Sequence, residues 1–182
     1  MTKDNKANRI MIFGGAGSGK STLARKLGTI TRLPVIHIDR LYWKPGWVMR
    51  PREEIGLLTN AEADKERWIF EGNHSETMPY RASRADMVVF LDMSTPRRLW
   101  RVIGRILKHR GRTRPDMADD CLERFDWDFL KWVANYRKDG RLRALRFIDT
   151  LPPALPVHHL RTPKEVDAFL NGMREKVTAG RL

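Results

Sequence analysis

The segment "RIMIFGGAGSGKSTLARKL", residues 9 to 27, leaves the chain few folds to choose from. A short apolar run (9–13) is broken by glycines. A helical pattern over 20–31 follows, with Leu23, Leu27 and Ile30 on one face. Between them stands G-x-x-x-x-G-K-[S/T], at Gly14, Gly19, Lys20 and Ser21. Glycines let such a loop curl with its N–H groups turned inward and leave room for ligand oxygens. The helix behind it offers unpaired N–H groups and the positive end of its dipole. Strand, loop and helix together make a grip for a triphosphate, formed by Gly14, Gly15, Ala16, Gly17, Ser18, Gly19, Lys20, Ser21 and Thr22. Lys20 is placed to reach the β- and γ-phosphates and Ser21 to ligate Mg²⁺, so ATP and Mg²⁺ are the expected cofactors.

The rest of the pattern extends this unit. Residues 34–38, 67–72 and 86–92 read as further strands, and "LPVHHL" as a last one. A helix after Thr95-Pro96 is expected to bury Leu99, Ile103, Ile106 and Leu107, with Arg98, Arg101, Arg105 and Lys108 on its other side. A polar loop follows over 109–120, then a helix from Leu122 to Tyr136 with Leu122, Phe125, Phe129, Trp132 and Tyr136 as its stripe. A closing helix starts at the capping box Thr162–Glu165 and buries Val166, Phe169, Leu170 and Met173. Strands alternating with helices give an α/β fold: a doubly wound, mostly parallel five-stranded sheet with helices on both faces. No internal repeat or linker divides residues 1–182, which read as a single domain. Two segments interrupt the alternation, 39–66 and 109–120. Ligands of such sheets meet the loops at the carboxyl ends of the strands.

The chain carries 35 Lys+Arg against 22 Asp+Glu, a net charge of +13, which points to polyanionic partners. Residues 97–146 hold 12 Arg and 3 Lys against 7 acidic residues, more than half of that surplus. Helical arginines such as Arg137, Arg141, Arg143 and Arg146 make this stretch a candidate surface for non-specific nucleic acid, although no helix-turn-helix, zinc-finger or RNA-binding signature is present. Cys121 is the only cysteine, which removes internal disulfides and cysteine-based metal sites and fits a cytoplasmic location. No apolar stretch is long enough to span a membrane. No N-K-x-D guanine motif appears, and no strand ends in two acidic residues as in ATPase motors.

At this point the chain resembles the nucleoside-monophosphate-kinase-like P-loop family, adenylate kinases included. Within that family it is most similar to proteins called DNA topology modulation proteins. The resemblance rests on "GGAGSGKSTLA", "HIDRLYWKPGW", "IFEGNHS", "RVIGRILKHRGRTRPDM" and "DWDFLKWV". It implies a mobile lid over ATP. "FEGN" resembles the strand-end Asp-Gly of adenylate kinases, with Glu71 in place of aspartate. Arg101-Val-Ile-Gly-Arg105 resembles their R-I-x-G-R, whose arginines contact adenine and phosphates. Thr113-Arg114-Pro-Asp116, with Arg124, is similar to their lid arginines. The sequence also departs from adenylate kinases: the lid is short and lacks zinc cysteines, "EGNHS" replaces D-G-F-P-R, and "HIDRLYWKPGW" replaces the AMP-binding segment.

The candidate site residues follow. Asp39, after the second strand, is the candidate group to orient or deprotonate an acceptor hydroxyl; shikimate-kinase-like members of the family also keep an acidic residue there. Glu71, Gly72 and Asn73 form a second strand end facing the acceptor. Tyr42, Trp43 and Trp47 suit a flat base or sugar face, or else a small satellite core. Arg105, Arg110, Arg112 and Arg114 form the lid cluster, placed to stabilise charge on a transferring phosphoryl group. Arg101 is a candidate to stack on adenine, and a loop near Arg161–Pro163 to contact it. Arg50 and Arg52 are weaker candidates for a phosphate on the acceptor. Asp92, His74, His158 and His159 read as structural, and Cys121 as inert. The expected activity is ATP-dependent phosphoryl transfer to a nucleoside or nucleotide, with a nucleic-acid-binding NTPase or topology regulator as the alternative.

Overall fold

The computed structural model describes residues 7–180; the ends of the expected domain, 1–6 and 181–182, lie outside the described residues. In chain order the elements are β1 (Arg9–Gly14), α1 (Lys20–Thr31), β2 (Val35–His37), α2 (Ile38–Tyr42), β3 (Trp43–Lys44), β4 (Val48–Met49), α3 (Arg52–Ala63) and β5 (Trp68–Glu71). Then come α4 (Met78–Arg84), β6 (Met87–Leu91), α5 (Thr95–His109), α6 (Trp127–Asn135), α7 (Gly140–Asp149), β7 (Val157–Leu160) and α8 (Pro163–Thr178). Five strands form one parallel sheet in the order β2-β5-β1-β6-β7. The chain winds first to one side of β1 and then to the other, so a crevice opens at the carboxyl end of β1.

Strand periodicity explains the two layers. Ile10 and Ile12 of β1 face a core completed by Leu23 and Leu27 of α1 and by Leu170 and Met173 of α8. Met11 and Phe13 face the opposite core, with Trp68, Phe70, Phe90 and Ala144. A strand apolar on both faces reads as a continuous run, as this one does. The closing helix starts at its expected cap: Thr162 Oγ1 accepts the Glu165 N–H at 3.2 Å, while the Glu165 carboxylate reaches one residue further back than in a capping box, its Oε2 accepting the Arg161 N–H at 2.7 Å.

Several elements depart from the sequence pattern. β2 stops at His37, because Ile38 turns into the second core and opens α2. The interrupted segment 39–66 is ordered as α2, a β3–β4 hairpin and α3. Helix α5 buries Arg98, Val102 and Ile106, while Ile103 and Leu107 are exposed. The buried stripe is therefore rotated from the expected one, because α5 packs under the loop after β1 and against α6. Arg98 reaches the carboxyl end of α6, where its guanidinium donates to Val133 O at 2.8 Å and lies over the Tyr136 ring at 4.6 Å. A cation is stabilised at a helix carboxyl end. Helix α6 starts at Trp127 rather than Leu122, since Asp126 caps it through the Phe129 N–H at 2.9 Å. Residues 122 and 123 instead pair with the loop at 110–113. Leu122, Phe125 and Trp132 are exposed.

Beside the sheet, Asp92 receives Arg141 Nε at 2.9 Å and lies 3.0 Å from His159 Nε2. This pair fastens α7 and β7 to the end of β6, and Arg141 is thereby withdrawn from the exposed basic surface. Asp92→Ala leaves that guanidinium unpaired. Urea unfolding is expected to show a loss of about 2–3 kcal/mol without loss of the fold.

Candidate nucleotide and acceptor site

The loop after β1 is shaped by what it rests on. Gly17 sits at φ +76, and a Cβ there would collide with the Arg98 carbonyl oxygen of α5. The loop is thus seated on a helix backbone, an approach only glycine allows. Arg101 Nη1 donates to Ser18 O at 2.8 Å and clamps the loop from the same helix. Asn73 braces it from the other side: its amide accepts the Gly14 N–H at 3.1 Å and donates to Gly14 O at 2.8 Å. Lys20 closes the curl by donating to Gly15 O at 3.3 Å.

A cavity of about 970 Å³ opens in front of this loop. Its walls include Lys20 and Ser21 of α1, Asp39 of α2, Trp43 and Trp47 of the hairpin, Glu71 of β5, Arg101 and Arg105 of α5, and Arg114 and Asp116 of the 109–120 segment. The sheet register sets the acidic side. His37 and Glu71 are neighbours on adjacent parallel strands. Both are buried, and His37 Nδ1 lies 2.6 Å from Glu71 Oε1. Burial pushes the Asp39 carboxyl above the ordinary aspartate range; Glu71 pushes it further, against Lys20 and Arg114. Burial lowers the Lys20 pKa, and Glu71 and Asp39 resist that shift.

The polar segment 109–120 folds over the cavity as the arginine content suggested, but only part of the cluster reaches in. Arg105 Nη2 and Arg114 Nε approach the buried Glu123 at 2.9 and 2.7 Å. Arg114 Nη1 donates to Asp116 Oδ2 at 2.7 Å, and Asp116 in turn accepts the Ser21 hydroxyl at 3.0 Å. Arg110 and Arg112 are exposed. Their backbones pair with Glu123, and they stand outside the cavity walls. The segment is tied to the hairpin side: Arg40 Nη2 donates to Pro115 O at 2.6 Å, Trp47 Nε1 to Leu122 O at 3.0 Å, and the Cys121 thiol to Lys44 O at 3.6 Å.

The chain matches no protein-family model and no curated protein. Solved structures do superpose on it. Shikimate kinase from Acinetobacter baumannii, in complex with shikimate, does so with a TM-score of 0.57 at 12% identity, covering 98% of this chain and 97% of that one. Shikimate kinase from Aquifex aeolicus vf5 gives 0.52 at 18%, covering 94% and 99%. A gluconokinase from Sinorhizobium meliloti 1021 gives 0.50 at 13%, covering 96% and 97%.

The fold is that of P-loop kinases.

Within this P-loop kinase fold, residues 16–19 of the glycine loop, Lys20, Ser21, Thr22, Asp39, Trp43, Glu71, Gly72, Arg101, Arg105, Arg114 and Arg124 line one cavity, while Gly14 and Gly15 stand outside its walls. Pro163 also lines it, at the loop expected to meet adenine. Asn73 lies on the wall, but its amide is engaged by Gly14. Tyr42 turns away into a smaller pocket of about 240 Å³ with Met49 and His74. Arg110 does not reach the cavity. Three residues were not found from the sequence. His37 looked like an ordinary strand residue, and only the register shows its pairing with Glu71. Glu123, the anchor of the lid arginines, carried no spacing signal. Arg81 is wholly buried, donates to Gly72 O at 3.1 Å and His74 O at 3.3 Å, and so shapes the loop after β5; burial pulls its pKa down to about 9 against the pull of Glu71.

The Asp39 shift has a consequence for stability. A carboxyl whose folded pKa is raised binds more protons in the folded state, so stability is lost as pH rises from its ordinary value of about 3.9 through the folded value. Asp39→Asn removes that loss. Denaturation at pH 7 is expected to show a more stable variant, and the gain is expected to vanish below pH 4.

Proposed function

We propose that the protein is an ATP-dependent phosphotransferase acting on a small-molecule acceptor, a nucleoside or nucleotide. The observation that carries the reading is the single cavity holding the phosphate grip, the Asp39 carboxyl and the lid arginines Arg105 and Arg114. The shared fold supports it, since the superposing proteins are kinases by name, of shikimate in one case and of gluconate in another.

The residues fit the group they would hold. A loop that a Cβ on Gly17 would block, and whose Ser18 hydroxyl is buried without a partner, suits phosphate oxygens. Ser21 offers one hard oxygen to Mg²⁺. Among the described residues no group of three or more His, Cys, Asp or Glu could hold a metal ion, so phosphate oxygens and water would complete its shell. Bound Mg²⁺ neutralises charge on the phosphates. Gly14 to Thr22 and Lys20 hold ATP, with Arg101 and the Pro163 loop at the adenine end. Asp39, a carboxyl with a raised pKa, takes the proton of the acceptor hydroxyl. That oxygen bonds to the γ-phosphorus as the bond to the bridging oxygen breaks, and ADP leaves. Lys20, Arg105 and Arg114 stabilise the charge that spreads over the transferring oxygens, and Arg110 takes no part from its exposed position. The lid excludes the water that would compete as acceptor. Glu71 and Gly72 face the acceptor, and Asn73 braces the glycine loop through Gly14.

The alternative, a nucleic-acid-linked NTPase or topology regulator, rested on the arginines of 97–146. Arg98 is buried and Arg105, Arg114 and Arg141 are paired within the protein, while Arg97, Arg137, Arg143 and Arg146 remain exposed. ADP formation screened over nucleosides, nucleoside monophosphates and sugars, with products identified by mass, separates the two readings. Activity that depends on DNA and yields no phosphorylated product would sink the phosphotransferase. Lys20→Ala is expected to lower turnover by at least about a hundredfold with the circular dichroism unchanged. Asp39→Asn is expected to slow transfer about 10²–10⁴-fold while nucleotide affinity is kept; full transfer by that variant would remove Asp39 from its role.

A further inference from the structure

Asp116 is a lid carboxylate that reaches the phosphate grip. Its Oδ2 accepts the Ser21 hydroxyl at 3.0 Å, across 95 residues of sequence. The same oxygen receives Arg114 Nη1 at 2.7 Å. Ser21 and Asp116 both line the cavity, and the Asp116 side chain is only 16% exposed. Other carboxylates of the wall are engaged elsewhere. Glu71 Oε1 lies 2.6 Å from His37 Nδ1. Glu123 sits between Arg105 and Arg114. Asp126 caps α6 through the Phe129 N–H. Among the described residues, Asp116 is the only carboxylate hydrogen-bonded to Ser21.

The spacing of this pair has a second meaning. Mg²⁺ on a nucleotide takes one or two protein groups and leaves the rest of an octahedral shell to phosphate oxygens and water. Neighbouring oxygens of such a shell, each about 2.1 Å from the metal and at right angles, are about 3.0 Å apart. Ser21 Oγ and Asp116 Oδ2 already stand at that distance. A metal ion can therefore replace the shared proton while both oxygens stay where they are. The Ser21 hydroxyl keeps lone pairs for the metal once its proton turns away, and an ionised carboxylate oxygen accepts Arg114 and a second partner together. Arg114 then steadies the carboxylate from behind, as hydrogen bonds to metal ligands commonly do. Charge favours the same arrangement. A carboxylate beside Ser21 opposes a bare triphosphate, and a divalent cation between them turns that repulsion into attraction, so the site selects the metal complex.

We propose that Asp116 is the second protein ligand of the nucleotide's Mg²⁺, entering from the lid beside Ser21, so that the metal clasps lid and grip together. The proposal rests on the nucleotide-binding part of the phosphotransferase reading and extends it.

Calorimetry on the full chain measures the affinity of the β,γ-imido analogue of ATP in Mg²⁺ and in EDTA. The wild type is compared with Asp116→Asn, which keeps the size of the group and loses its charge. The wild type is expected to bind at least about tenfold more tightly with Mg²⁺ than without. In the variant that ratio is expected to fall at least about tenfold, with affinity in EDTA kept or raised. A smaller fall overturns the proposal and leaves Asp116 as a latch between the lid and Ser21; a wild type indifferent to Mg²⁺ also overturns it. A second pair of variants separates a lost ligand from a disturbed lid. Cd²⁺, a soft cation, is expected to tighten nucleotide binding by Asp116→Cys at least about tenfold over Mg²⁺ and to give Asp116→Ala no such gain. An equal response of the two overturns the proposal. Transfer from ATP is measured in parallel. Metal-dependent binding through Asp116 without a phosphorylated product would remove the phosphotransferase and leave the metal assignment standing. Transfer by the wild type, with the metal ratio unchanged in Asp116→Asn, would do the reverse.

Discussion

Burial works against the charged form of Lys20, and the carboxyl groups that share its cavity work the other way. These groups come from separate parts of the chain and line one cavity with Lys20: Asp39 from α2, Glu71 from β5 and Asp116 from the segment 109–120. None is near the others in sequence. They meet because β1, β2 and β5 are parallel neighbours whose carboxyl ends come out together. A parallel sheet of this order concentrates its strand ends at one edge, and there groups distant in sequence come to face the same cavity.

The glycine loop is held by contacts that do not involve a ligand. Arg98 and Arg101 of α5 lie under it, and the Asn73 amide stands beside it. Arg98 illustrates how a charged side chain can serve as core: its stem fills space, its plane covers Tyr136, and its Nη2 donates to the Val133 carbonyl near a helix end. Arg81 plays the same part under Phe70 and the loop after β5.

Much of the fold was legible because its signals are local. The glycine spacing, the doubly apolar β1 and the Thr162 cap each fix a few adjacent residues, and each appears in the structure where the pattern put it. The rotated face of α5 and the late start of α6 were not legible. In both cases the deciding partner is distant: the loop surface that Arg98 supports, and the strand-like pairing of Thr113 with Leu122. The site divides in the same way. Lys20, Ser21 and Asp39 follow from position after a strand. His37 with Glu71, and Glu123 with Arg105 and Arg114, are pairings across 34, 18 and 9 residues that no periodicity announces. Tyr42 and Arg110 looked equivalent to their neighbours in sequence, yet a short helix and a bridge to Glu123 point them elsewhere.

The contacts of Arg40, Trp47 and Cys121 run between the lid and the acceptor hairpin, and each joins a side chain on one to a main-chain oxygen on the other. Two segments stitched in this way form a single seam across the cavity. Because every acceptor in the seam is a main-chain oxygen, of Pro115, Leu122 and Lys44, the spacing between the two segments is written into the backbone, and a side-chain substitution at those three positions leaves the acceptors in place.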